Sequence, residues 1–133
     1  MADHISKEKR SKIMRSIRSK DTKPELIVRR ILTSMGYRYR LHRKDIPGRP
    51  DIAFIGKKKA IFVHGCFWHV HENCPISHVP GNEFWQKKLE ANRARDFRAL
   101  SELTLQGWKV LTLWECELKD ENHISISLSN FLT

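Results

Sequence analysis

Between Phe62 and Cys74 the chain reads FVHGCFWHVHENC, thirteen residues that hold three of its seven histidines, two of its three cysteines and one of its four tryptophans. Thiols, imidazoles and large aromatics crowded behind an apolar run, Ala60 to Val63, rarely serve packing alone. Cys66, His71 and Cys74 are separated by four and two residues, and Cys116 lies about 40 residues further on. Three thiolates and one imidazole suit a tetrahedral Zn²⁺ site, and four protein ligands leave no open position, so the ion would be structural. It would pin this segment to the end of a later strand. His69 could replace His71, because spacing alone does not choose between them. The competing reading is buried free cysteines with incidental histidines. The use of every cysteine in one ligand set argues for the metal.

A second constellation centres on Asp51, which closes the tetrapeptide Gly48-Arg49-Pro50-Asp51 at the start of a strand; the next strand ends at Phe62-Val63-His64. A carboxylate on one strand of a hairpin, facing groups on the next, is how many nucleases hold Mg²⁺, a hard cation that takes oxygen ligands and keeps several waters. Such an ion polarises a phosphoryl oxygen and generates hydroxide. Proton transfer wants a group that titrates near neutrality, and His64 and His69 are the histidines of this segment that zinc does not need. Asp51 also reads as a simple turn aspartate. Glu25 opens the first helix and could reach the site, although a capping box accounts for it equally well. Asp96, in the run Asn92 to Asp96, also reads as part of a helical surface ion pair.

Phe67 and Trp68 are adjacent, so an extended or turn segment cannot bury both in one core. Aromatics so placed can wedge between base steps. Trp85 and Met14 could join them from other elements, with packing at a helix start as the alternative for Trp85. Trp108 and Trp114 lie on an apolar strand and read as core.

The elements that must position these groups are legible from periodicity. Thr22-Lys23-Pro24-Glu25 is a helix start. Leu26, Ile27, Ile31, Leu32 and Met35 follow as its apolar face, and Gly36 stops it. Tyr37–Leu41 alternates as a strand, Pro47–Pro50 is a loop, and Asp51–Ile55 with Lys59–Val63 make a hairpin. A long helix is expected from about Glu83 to Gln106, ended by Gly107, then a strand from Trp108 to Trp114 and a short helix from His123 to Phe131. This order predicts an α/β domain with a mixed central sheet flanked by helices. Residues 1–20 are read as a flexible basic N-terminal arm, and 21–133 as a single domain.

The chain has 133 residues, enough for one core, and a formal net charge of +10 from 25 Lys and Arg against 15 Asp and Glu. A small basic protein of this kind most often binds nucleic acid. No apolar run approaches the ~18–20 residues of a membrane span. The first twenty residues lack a signal-peptide core, so a cytoplasmic, nucleoid-associated location is expected. Three cysteines without an export signal argue against a disulfide framework.

Taken together, HGCFWHVHENC, the preceding GRPD, EFW at 83–85, NRARD at 92–96 and GWKVLTLWEC at 107–116 resemble the very-short-patch repair (Vsr) DNA mismatch endonucleases. The resemblance spans about residues 8–118 in order and spacing. It implies a restriction-endonuclease-like core in which Phe-x-His replaces the usual acidic-x-Lys strand. It further implies Asp51 and the Val63 carbonyl as Mg²⁺ ligands, His69 as general base, and His64 and Asp96 supporting the metal waters; Glu25 remains a secondary catalytic candidate from its position at the first helix alone. Cys66, His71, Cys74 and Cys116 would hold Zn²⁺. Phe67, Trp68 and Trp85 would form an intercalating wedge, with Met14 entering from the opposite groove and Asn92 among the DNA-binding residues. Position 63 is valine where a family member carries threonine, so only its backbone could serve as a ligand. The implied activity is nicking 5′ of the thymine in T:G mismatches that arise from 5-methylcytosine deamination, by a monomer acting on duplex DNA with repair-machinery partners. A restriction-type endonuclease of the same fold and a non-enzymatic zinc-containing DNA-binding module are the alternatives.

Overall fold

The computed structural model describes residues 22–71, 74 and 81–133. The arm read over residues 1–20, Met14 included, lies outside the described residues. Helix α1 runs from Lys23 to Ser34; Thr22 caps it by accepting the Glu25 N–H at 3.4 Å, and Pro24 occupies its first turn. Gly36, at φ 84°, takes the left-handed conformation that turns the chain away. Strands β1 (Arg40–Leu41), β2 (Ile52–Phe54) and β3 (Lys59–His64) follow. Then come the 23-residue helix α2 (Glu83–Leu105), β4 (Lys109–Trp114), a 3₁₀ turn (Glu115–Lys119) and α3 (Glu121–Leu132). Among the described residues no helix is long and apolar enough to cross a membrane.

The sheet order is β1-β2-β3-β4, with β1–β2 and β2–β3 antiparallel and β3–β4 parallel. Helix α2 makes the crossover that a parallel pair requires. Side-chain alternation divides the core between the two faces of the sheet. Ile52, Phe54, Ile61, Val63 and Leu113 pack with Val28, Ile31 and Leu32 of α1 and Ile124, Leu128 and Leu132 of α3. Ala53 and Ala60 face the other way, with Ile46 and with Leu103 of α2. The result is a mixed sheet flanked by helices, as the element order predicts.

Three expectations need correction. The Tyr37–Leu41 strand shrinks to Arg40–Leu41, because Tyr37 and Tyr39 set their rings edge-on to Phe54, at 6.1 and 6.5 Å, and do not extend the ladder. Trp114 is not a core residue: it is half-buried and stacks on His71 at 4.1 Å. Trp108 is likewise only partly buried, at the margin of the smaller cluster. Gly48, at φ 77°, lets the Pro47–Pro50 loop lie against α2, where a Cβ would come 2.4 Å from that of Ala99. This close approach sets the loop that delivers Asp51 to the sheet.

Candidate active site and metal centre

The parallel ladder ends with His64 opposite Trp114, which carries Cys66 and Cys116 to neighbouring positions just beyond the paired strands. The Cys116 N–H donates to the Cys66 sulfur at 3.4 Å. After Cys66 the chain closes a compact turn, with His69 N–H donating to the Gly65 carbonyl at 3.1 Å and His71 N–H to the Cys66 carbonyl at 3.0 Å. His71 Nδ1 thereby lies 3.6 Å from Cys66 Sγ and 3.4 Å from Cys116 Sγ. Bonds of ~2.3 Å to sulfur and ~2.0–2.1 Å to nitrogen at tetrahedral angles put S and N about 3.5 Å apart, so the donor set fits Zn²⁺. Cys74 completes the group, with the four ligand atoms within 4.8 Å of one another. Burial, with the neighbouring thiols adding to it, pushes the Cys66 thiol up to about 12, and burial also raises Cys116. Such thiols stay protonated unless a cation ionises them. The imidazole in this cluster is His71; His69 faces elsewhere.

Asp51 sits one residue before β2 and reaches across to β3, where its Oδ2 accepts the Val63 N–H at 2.7 Å. Burial raises the Asp51 carboxyl to about 8, with the adjacent Glu25 contributing. Glu25 itself is 1% exposed. Its side chain turns inward, where Oε2 accepts from Arg29 at 2.5 Å and from His42 Nε2 at 2.9 Å. Glu25, His42 and Asp51 offer three ligand atoms within 4.8 Å of one another. Oxygen from two carboxylates suits a hard divalent cation.

A third group stands beside it. His69 Nδ1 is 2.6 Å from Asp96 Oδ2, so the first turn after β3 is tied to the middle of α2. The His64 ring stacks on His69 at 3.8 Å and 6°. Burial, with His69 adding to it, lowers His64 to about 4, so it is neutral at physiological pH. Phe67, Trp68 and Trp85 meet edge to face with centroids 5.2–5.6 Å apart. Asn92 donates to the Trp68 carbonyl at 3.0 Å and accepts from Arg95, so its amide braces the aromatic turn. Glu25, Asp51, Val63, His64, Phe67, Trp68, His69, Asn92 and Asp96 all line one open cleft of about 1480 Å³, together with Lys44, Arg49, Lys88, Arg95 and Arg98.

Residues 2–75 match the family model described as DNA mismatch endonuclease Vsr. The chain belongs to this family. It is 48% identical to the type II nicking enzyme V.XorIIP of Xanthomonas oryzae pv. oryzae, over 99% of this chain and 98% of that protein. It is 41% identical to the DNA mismatch endonuclease Vsr of Escherichia coli, over 94% of this chain and 81% of that one. Among solved structures it is similar to the catalytic domain of the homing endonuclease I-Bth0305I, with a TM-score of 0.60 and 29% identity over 84% of this chain and 94% of that one. Membership and fold make this Vsr-family chain a DNA-cleaving hydrolase with a restriction-endonuclease-like core.

The residues singled out in the Vsr-family sequence converge on this cleft and its zinc-type cluster, apart from Trp85, which backs Phe67 and Trp68, and Met14, which lies outside the described residues. Two neighbours escape sequence reasoning. His42 follows a two-residue strand and carries no motif, so only the fold brings it to Glu25. Phe84, in the quoted EFW run, is 39% exposed and packs on Trp85 at 5.0 Å, extending the aromatic group.

Proposed function

We propose that this Vsr-family enzyme is a Mg²⁺-dependent endonuclease that nicks duplex DNA 5′ of the thymine in a T:G mismatch, with Zn²⁺ in a structural role. One observation carries the reading: a single cleft, with Lys44, Arg49, Lys88, Arg95 and Arg98 in its lining, gathers Asp51 against the end of β3, the His69–Asp96 pair and the turn bearing Phe67 and Trp68. Asp51 and the Val63 carbonyl would hold Mg²⁺, with Glu25 beside them. When bound, the ion supplies positive charge to the phosphoryl oxygens and acidifies water. With Nδ1–H directed to Asp96, His69 presents Nε2 as the acceptor for the proton of the attacking water. Neutral His64, stacked flat on His69, restricts the tilt of that ring. Basic side chains in the lining grip the phosphate backbone without reading sequence.

The aromatic turn supports the mismatch reading. Wedging side chains unstack base steps at a cost of a few kcal/mol per step, and a wobble pair yields more readily than a matched pair. The names of several relatives, which are nicking enzymes, support one-strand cleavage. The test is a nicking assay on end-labelled duplexes that carry T:G, other mismatches or none, with Mg²⁺ present. The expected result is a single product whose end lies 5′ of the mismatched thymine, at least ~100-fold faster than on matched DNA. Equal rates on all duplexes would instead support a restriction-type enzyme, and an inert wild type a binding module.

A further inference from the structure

His42 has a positive φ of 46°, a conformation uncommon among non-glycine residues. Non-glycine residues hold the left-handed conformation where surrounding contacts over-determine it, often at functional sites. Here the turn ends the β1 ladder after two residues and swings the imidazole onto the first turn of α1. The His42 N–H donates to the Asp51 carbonyl at 3.4 Å. Its Nε2 donates to Glu25 Oε2 at 2.9 Å and lies 4.0 Å from Asp51 Oδ1. Arg29, one helical turn beyond Glu25, donates to the same Oε2.

We propose that His42 is a positioning residue for the catalytic cation: a single residue that registers Asp51 through its main chain and Glu25 through its ring. The inference rests on the cation reading of the cleft. Two adjacent carboxyl groups need fixed partners if their oxygens are to stay aimed at a shared cation. With Glu25 Oε2 held by His42 and Arg29, and Asp51 Oδ2 held by Val63, the plane of each carboxylate is set before a cation arrives. Mg²⁺ demands near-ideal octahedral geometry, so fixed oxygen donors raise its affinity by reducing what must be ordered on binding. His42 acts here as a hydrogen-bond donor. A side chain that donates from the same place preserves the function, whereas an apolar side chain of similar volume does not.

The test uses Mn²⁺ as a spectroscopic probe on the full-length, zinc-loaded protein, with binding read by electron paramagnetic resonance and half-saturating Mg²⁺ read from nicking. His42→Leu is expected to weaken Mn²⁺ binding about 10-fold and raise half-saturating Mg²⁺ about as much, with the rate at saturating Mg²⁺ changed less than about 3-fold. His42→Gln is expected to recover most of that affinity. In a Glu25→Ala background, His42→Leu should add no further loss, a non-additivity that separates the clamp from general destabilisation. Wild-type affinity in His42→Leu overturns the proposal, as does a glutamine variant as weak as leucine or a fully additive double variant. A wild type that binds no Mn²⁺ beyond Asp51→Asn overturns the cation reading as well.

Discussion

The Asp51 carboxyl is largely buried against the Val63 N–H and beside Glu25. Burial and the neighbouring Glu25 raise it from 3.8 to about 8. Over the interval between those values the folded chain keeps a proton that the unfolded chain has released, so stability falls as pH rises toward 8 when no divalent cation is added. His64 acts oppositely: lowered from 6.5 to about 4, it removes stability as pH falls through that lower window. Above about pH 6.5, therefore, Asp51 governs the trend, with up to ~2 kcal/mol at stake between pH 6.5 and 8. We expect Asp51→Asn to melt higher than wild type at pH 8.5, by roughly 5 °C more than the same comparison gives at pH 6.5, while nicking is lost. Thermal melts at the two pH values, without added Mg²⁺, check this; an equal difference at both would contradict it. The types needed for such chemistry are visible in the sequence at Asp51, His64 and His69. Glu25 is ambiguous there, because a first-turn glutamate satisfies either a cap or a site. His42 is silent, because its role comes from one left-handed backbone angle and a contact 17 residues away.

The turn from Cys66 to His71 concentrates the site at the level of an element. Two donors of the zinc-type cluster bracket Phe67, Trp68 and His69, and the third and fourth come from Cys74 and from the 3₁₀ turn after β4. The other contacts hold the turn point by point: Asn92 holds the Trp68 carbonyl, Asp96 and the His64 ring hold His69, Glu115 accepts the Cys66 N–H, His71 rests on Trp114, and Trp85 backs Phe67 and Trp68. Removing the ion would leave clustered neutral thiols and free the bracketed residues to move. Displacement of a catalytic group by about 1 Å lowers rates about 100-fold. Cys116→Ser is expected to lose its zinc by elemental analysis and to nick at least ~100-fold more slowly with Mg²⁺ saturating. Its affinity for matched duplex should fall less than ~10-fold, because the basic lining is untouched. A variant that keeps both zinc and rate would sink the ligand assignment. Helix boundaries are legible because their signals are local: Thr22 and Pro24 start α1, and Gly107 at φ 84° ends the turn after α2. The truncation of β1 is not legible, because edge pairing depends on where Tyr37 and Tyr39 find Phe54 in three dimensions.

Across the whole molecule, the excess of basic charge and the placement of the cleft belong to one design. The net charge of +10 is apparent from composition, but composition cannot say which cations share a surface. The fold answers that: Lys23, Lys44 and Arg49 come from the α1 side and the loop before β2, Lys88, Arg95 and Arg98 from α2, and all six line the cleft that contains Asp51 and His69. This convergence follows from the β3–α2–β4 crossover, which lays α2 alongside the hairpin mouth. A cleft so lined neutralises phosphates and releases condensed counterions, so affinity for matched duplex should fall log-linearly with salt. If all six cations pair with phosphates, the slope is about −5, at −0.9 per phosphate. Lys88→Ala should make the slope shallower by about 0.9 and weaken matched and T:G duplexes alike, leaving the ratio of their nicking rates within about 2-fold of wild type. Fluorescence anisotropy on both duplexes between 50 and ~300 mM salt measures the slope. A slope unchanged by Lys88→Ala would remove that residue from the phosphate track. A changed ratio would mean that Lys88 reads the mismatch and does more than hold the backbone.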